Sequence, residues 1–239
     1  MLEKFIKNYD FDAHFHLYEC KTAGILDIYK EYCGISCAHS IEEWNIQKKY
    51  VEETGNNQIF LSYGMHPQNA ANENISLSQN FLEKLLVNNE ISFIGETGFD
   101  FFTLEYKELS VKQEEMFNVQ IELAKKYNIP VVIHCRKANH KLFEYAKKLS
   151  LLPEVLFHSF MGPVSQAFSL LNKNINGYFS FGKQVFNGNK KVLECVKNLP
   201  PERVFAETDA PFQYLKGEKY TKPSEIKKIY AKILKLQKY

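Results

Sequence analysis

Six residues of this 239-residue chain have the types and spacing to hold metal ions: His14, His16, Glu96, His134, His158 and Asp209. In His14-Phe15-His16 the HxH spacing lets two imidazoles converge on one ion, because side chains two apart on a strand share a face; Asp12 extends the same alternation. Glu96 lies in Ile94-Gly95-Glu96-Thr97-Gly98-Phe99-Asp100, and Asp209 precedes Ala210-Pro211. Four imidazoles and two carboxylates exceed the needs of one tetrahedral site. They suit a pair of divalent ions about 3.5–4 Å apart, bridged by a carboxylate, that activates a water and polarises the bond under attack. Imidazole-rich ligation favours Zn²⁺ or Mn²⁺.

Taken singly, each residue has a plainer account. An HxH pair can be incidental, His134 and His158 can be hydrogen-bonded core histidines, Glu96 can cap or pair, and Asp209 can open a turn. Their shared placement argues otherwise. Runs that read as strands fall near Tyr9–His14, Gly34–Ala38, Gln58–Tyr63, Ile91–Glu96, Pro130–His134, Val155–His158, Gly177–Phe181 and Val204–Glu207. Five of these end in, or lead directly to, a candidate ligand. Burying so many ionisable groups together is costly without a compensating ion.

Between the strands lie helical stripes such as Phe81, Leu82, Leu85, Leu86 and Leu142, Phe143, Ala146, Leu149. Ser110 and Gln113 read as a capping box opening a helix through Ala124, Pro223 as a first-turn residue before the stripe Ile226, Ile229, Tyr230, Ile233, and Asn69–Ser78 as a loop. Eight strand-helix alternations predict a parallel sheet closed as a single TIM-type (β/α)8 barrel, regular or distorted, forming one domain over residues 1–239. In such barrels the chemistry collects at the carboxyl ends of the strands, where these ligands fall.

Composition removes other classes. Apolar residues at 45% and charged residues at 24% describe a globular protein and exclude disordered and collagen-like chains. The start Met1-Leu2-Glu3-Lys4-Phe5-Ile6 has no apolar h-region, and no run nears the ~20 residues of a membrane span, so a cytoplasmic protein with no membrane partner is expected. Five cysteines without a CxxC pair argue against disulfides and a thiolate zinc site. A net charge of +2 implies no acidic partner by itself, although residues 218–239 carry seven lysines against Glu218 and Glu225, a solvated face on the plain reading.

At its polar motifs the sequence resembles the TatD family of metal-dependent deoxyribonucleases, within the amidohydrolase-type barrels. The resemblance rests on Phe11-Asp12-Ala13-His14-Phe15-His16, Gly64-Met65-His66-Pro67, Gly95-Glu96-Thr97-Gly98-Phe99-Asp100, Val132-Ile133-His134-Cys135-Arg136, Phe157-His158-Ser159-Phe160 and Glu207-Thr208-Asp209-Ala210-Pro211. It implies that His14, His16 and Asp209 hold one ion, that His134 and His158 hold the other, and that Glu96 bridges them where related amidohydrolases use a carboxylated lysine. It also admits Mg²⁺ as the metal. His66 and Arg136 match positions near the substrate phosphate, where donors and cations meet developing negative charge. Asp12, Asp100 and Glu207 are expected to orient the ligands from behind. Cys135, between His134 and Arg136, is expected to pack away from the metals.

The implied activity is hydrolysis of DNA phosphodiesters, chiefly from the ends of single strands, with Asp209 as both ligand and proton acceptor. Lys183, at the end of strand seven, joins Arg136 and His66 as a phosphate contact, a solvated lysine being its plainer account; the lysine-rich tail is a further phosphate contact. The same centre would serve a hydrolase of small amides, lactones or phosphoesters. A non-catalytic nucleic-acid-binding barrel would need none of the ligands. Three departures from the family stand out: Met161 in place of a serine, Gly217–Pro223 in place of a basic, asparagine-containing stretch, and an end at Tyr239 after one helix where relatives continue through another.

Overall fold

Fully buried strands of a parallel sheet need apolar side chains on both faces, and the runs rich in Val, Ile and Phe supply them. In the computed structural model, which describes residues 1–237, they form β1 (Phe11–Phe15), β2 (Cys33–Ala38), β3 (Ile59–Tyr63), β4 (Phe93–Asp100), β5 (Val131–Arg136), β6 (Val155–Phe157), β7 (Gly177–Phe181) and β8 (Val204–Ala206). All pair in parallel in sequence order, one sheet of eight curling into a nearly closed barrel. The seam is made by loop backbone: Asp209 N donates to His14 O at 2.9 Å and His16 N to Ala210 O at 2.8 Å. The expected barrel is thus present, distorted at the β1–β8 join. The chain's end at Tyr239 lies outside the described residues.

Two apolar layers hold it together. Inside, Phe11, Ala13, Ile35, Cys37, Phe93, Val132, Leu156 and Phe205 pack together, and Leu2 and Phe5 from the amino-terminal turn plug the floor, Phe5 stacking on Phe11 at 4.1 Å. Outside, Phe15, Tyr63, Ile133 and Phe179 meet helical residues such as Phe117, Ile121, Ile229 and Ile233. Each such side chain contributes about 1.5–3 kcal/mol through burial. Among the described residues no helix is long and apolar enough to cross a membrane.

Local expectations needed correction in four places. No side chain caps the helix Ser110–Tyr127; Gln113 is buried and bonds the backbone of Asp100 and Tyr106 instead. The stripe from Leu142 to Leu149 is split between two short helices, Asn139–Glu144 and Ala146–Leu149. Asn69–Ser78 is loop only until Asn74, whose side chain accepts from Leu77 N and starts the helix Ile75–Val87. Finally, β4 runs on to Asp100. A shift in its register against β5 between Ile94 and Thr97 carries Glu96 to the barrel mouth. Glycine permits this: a Cβ on Gly64 would lie 2.7 Å from Gly95 Cα, so any larger residue would push β3 off β4.

Candidate metal centre

Six of the chain's seven histidines meet at the carboxyl ends of the strands, around the buried carboxylate of Glu96. Its two oxygens face different partners. Oε2 lies 3.4 Å from His14 Nε2, 3.5 Å from His16 Nε2 and 3.1 Å from His39 Nε2. Oε1 lies 2.6 Å from His158 Nε2, 3.5 Å from His134 Nδ1 and 3.9 Å from His66 Nε2. Asp209 closes the first group, its Oδ1 being 3.5 Å from His14 Nε2 and 3.3 Å from His16 Nε2. All six expected ligands are therefore brought together.

The spacing of these atoms tests whether the residues suit metal ions. His14 Nε2 and His16 Nε2 stand 3.0 Å apart, and His134 Nδ1 and His158 Nε2 stand 3.3 Å apart. Ligands at about 2.0–2.2 Å from a tetrahedral ion are separated by roughly 3.3–3.6 Å, so both groups have nearly the edge lengths of a filled coordination shell. The donor set, imidazole nitrogen and carboxylate oxygen, suits Zn²⁺ or Mn²⁺.

Charge is balanced within the cluster. Burial alone would push the Glu96 carboxyl up, but the positive charges of His14 and His158 outweigh it and hold the group well below the usual carboxylate range. Burial opposes charge on His158 too, and Glu96 overcomes it, pushing that imidazole up to about 9. His14 and His134 are raised in the same way, Glu96 acting on both and Asp100 also on His134. For His66 burial prevails, and its pKa falls well below 6.5. Asp209, also buried, is held low by hydrogen bonds from His14 and His16.

Behind the ligands stand groups that fix their orientation. Asp100 Oδ2 sits 3.0 Å from His134 Nε2, leaving Nδ1 free to face Glu96, and Gln68 Nε2 donates to the same oxygen at 2.8 Å. Glu207 Oε2 is 3.6 Å from His158 Nδ1 and accepts from Ser180 Oγ at 2.5 Å. Asp12 acts from further back. It accepts from Thr208 N, His14 N and Tyr32 Oη, tying β1 to the segment carrying Asp209, and burial pushes its carboxyl up to about 7. The expected sharing of one face by Asp12 and His14 fails, because a register irregularity falls between Asp12 and Phe15; Asp12 turns to Tyr32 while His14 reaches interior Cys37 at 3.4 Å. Asp209 has a left-handed φ of 50°, a region that Asp tolerates, and Gln213 Nε2 holds its Oδ2 at 2.7 Å.

All the donors but His14 line a cavity of about 580 Å³ whose wall includes Glu43, Arg136, Met161, Gln184 and Phe212. His66 lies on the floor, and Arg136 stands at the rim with its guanidinium carbon 3.5 Å from the centre of the Phe102 ring. Among the described residues no carboxylate pairs with Arg136. Cys135 turns its thiol to Asn139 and packs against the outer apolar layer, although the residue also borders the cavity. Lys183 is neither a phosphate contact nor solvated. It is buried with Nζ at 2.5 Å from Glu218 and 2.9 Å from Glu225, so the departing stretch after the aspartate motif forms an ion-paired clamp. In the lysine tail, Lys227 pairs with Asp10, which precedes β1 at the end of the barrel opposite His14, whereas Lys228 lies 5.5 Å from the ring centre of Phe186 in the turn after β7. Sequence reasoning missed His39, Gln68 and Gln213. Of these, only His39 carried a local signal, standing directly after a strand.

A profile of the family described as TatD related DNase matches residues 11–239. The chain is 30% identical over 220 residues to an uncharacterized metal-dependent hydrolase of Mycoplasma genitalium, covering 84% of this chain and 80% of that one. It is 27% identical over 181 residues to a Pantoea ananatis protein named a 3′-5′ ssDNA/RNA exonuclease, covering 74% and 67% of the two. The crystal structure of a TatD homolog from Escherichia coli superposes with a TM-score of 0.81 at 22% identity, over 99% of this chain and 91% of that one, which bears on the fold. With a family match over nearly its whole length and a hydrolase relative at this identity, the chain belongs to the TatD family of metal-dependent hydrolases.

Proposed function

We propose that the chain, acting as a single domain, cleaves phosphodiesters from the free ends of single-stranded DNA with the help of two divalent ions. The observation that carries this reading is Glu96, whose two oxygens face separate histidine groups, as a carboxylate spanning two ions must. Residues His14, His16 and Asp209 would hold one ion, His134 and His158 the other, and Glu96 both. Zn²⁺, Mn²⁺ and Mg²⁺ remain the candidates. The name of the Pantoea relative supports a nucleic-acid substrate.

Bound ions supply Lewis-acid charge at the scissile phosphate and bring the pKa of an attacking water from about 15.7 toward about 7. The chain's own groups do the rest. Asp209, as a carboxylate, accepts the water's proton. Arg136, free of carboxylates, grips a phosphate oxygen through paired N–H donors. His66 accepts Gln68 N on Nδ1 at 3.2 Å, so its own proton sits on Nε2 and is offered to the substrate across the cavity. Asp12, Asp100 and Glu207 keep the ligands aimed. A stacked duplex is too wide and stiff to bring its backbone to the bottom of a mouth ringed by eight strand ends, whereas an unpaired end can enter.

A time course with end-labelled linear single-stranded, duplex and circular single-stranded DNA, with and without Mn²⁺ at fixed salt, tests this. Linear single strands should be shortened fastest and only with metal. Equal cutting of circular strands would remove the requirement for an end. Metal-dependent hydrolysis of small esters or lactones with no DNA cleavage would replace the reading with a small-substrate hydrolase.

A further inference from the structure

We propose that His39 is a seventh metal ligand, its Nε2 joining Glu96 Oε2 on the ion that His14 and His16 hold; the inference rests on the two-ion reading above. His39 follows β2, and only 9% of its side chain is exposed. Its Nδ1 lies 3.3 Å from Gly64 O. A carbonyl oxygen can only accept, and this one is fixed in place because Gly64 N donates to Ala38 O at 3.1 Å. In the neutral ring the imidazole proton therefore sits on Nδ1, and Nε2 is left with a lone pair. That lone pair points at Glu96 Oε2 from 3.1 Å. Oxygen and nitrogen lone pairs at such a separation need a proton or a metal ion between them, and in the metal-free chain Glu96 raises the His39 pKa against the pull of burial.

The same oxygen faces His14 Nε2 at 3.4 Å and His16 Nε2 at 3.5 Å, so an ion held by those two would lie on the side of Glu96 that His39 faces. A nitrogen-to-oxygen edge of 3.1 Å suits a five-coordinate shell, whose shorter edges at ligand distances of about 2.0–2.2 Å fall near 2.8–3.1 Å. Ligating histidines characteristically give their far N–H to a carboxylate or a backbone carbonyl. His134 does so with Asp100, and His39 with Gly64. His66 is wired the other way, Gln68 N donating to its Nδ1, so that it presents a proton to the cavity instead of a lone pair. Two histidines whose rings lie 4.9 Å apart are thereby given opposite tasks, one for metal and one for substrate. A proton held between His39 Nε2 and Glu96 would answer the same lone-pair conflict and is the account to be separated.

The experiment measures Zn²⁺ affinity and stoichiometry by chelator competition, and the visible absorption of the Co²⁺-loaded protein, for the parent chain, His39→Ala, His39→Asn and His66→Ala. Thermal melts check folding, and Asn retains an amide N–H for Gly64 O. The parent should hold two ions. Both His39 variants should lose about 10–100-fold or more in affinity at one ion only, with a changed Co²⁺ band as one nitrogen donor disappears, and His66→Ala should keep both affinities. Unchanged affinity and spectrum in the His39 variants would overturn the proposal. Weakened binding with an unchanged Co²⁺ band would do so too, reducing His39 to a hydrogen bond that steadies Glu96, as would an equal loss in His66→Ala. A parent chain that binds no ion would instead sink the two-ion reading itself.

Discussion

Removing the metal should make the stability of this chain fall with rising pH, and restoring it should reverse the trend. In the metal-free protein His14, His134 and His158 carry protons that Glu96 and Asp209 neutralise. His158 is the measurable case, raised from 6.5 to about 9 by Glu96 against the pull of burial. A base raised on folding contributes stability that is complete below its unfolded pKa and lost as pH climbs through the folded one. The window is therefore pH 6.5 to about 9, and the contribution lost across it is about 3 kcal/mol. For a chain of this size about 1 kcal/mol moves Tm by roughly 2–4 °C, so the metal-free protein should melt about 6–12 °C lower at the top of that window. Glu96 works in the opposite sense. Its pKa lies well below 4.5, so its contribution is present above that value and lost as pH falls through the depressed one.

Metal changes the sign because ligand nitrogens must be unprotonated to bind it. Loading should release protons near neutral pH, and metal affinity should rise over the same window in which the metal-free chain weakens. Scanning calorimetry of chelator-treated and Zn²⁺-loaded protein from about pH 6 to 9.5 gives the two slopes. Titration calorimetry in two buffers of different ionisation enthalpy counts the protons. In Glu96→Gln the metal-free slope should flatten, since the charge that raises His14 and His158 is gone. A metal-free Tm that is level or rising from pH 6.5 to 9, or Zn²⁺ binding without proton release, would refute the charge balance argued for the centre.

Asp209→Asn should cut turnover by about 10²–10⁴-fold or more with the fold intact, because the amide approaches an ion but cannot accept the water's proton; assays at saturating metal check this, and activity within a few-fold of the parent would exclude Asp209 as the base. Arg136→Ala should weaken single-stranded DNA binding about tenfold and lower the slope of log affinity against log salt by about 0.7, the share of one phosphate contact, whereas an unchanged slope would mean that the guanidinium never meets the backbone.

The barrel and the gathering of the six candidate ligands were legible because both follow local rules. Buried parallel strands write themselves as short runs of Val, Ile and Phe, and a polar residue closing such a run stands at the barrel mouth whatever lies elsewhere in the chain. Where a residue's role depends on a distant partner, the rules ran out. Lys183 reads as a free cation, yet Glu218 and Glu225, 35 and 42 residues later, bury it and tie it to the stretch that departs from the family's pattern. Asp12 obeys the alternation that includes His14 until a register irregularity turns it toward Tyr32 and Thr208. His39 ends a strand as plainly as His134 does, but Ala38-His39-Ser40 also reads as a loop leading to the Ser40 cap of the next helix. What distinguishes it from His66 is not a side chain at all. A backbone carbonyl at Gly64 places one imidazole proton and a backbone amide at Gln68 places the other, and from those two placements one ring gains a lone pair for a cation while its neighbour keeps a proton for an anion.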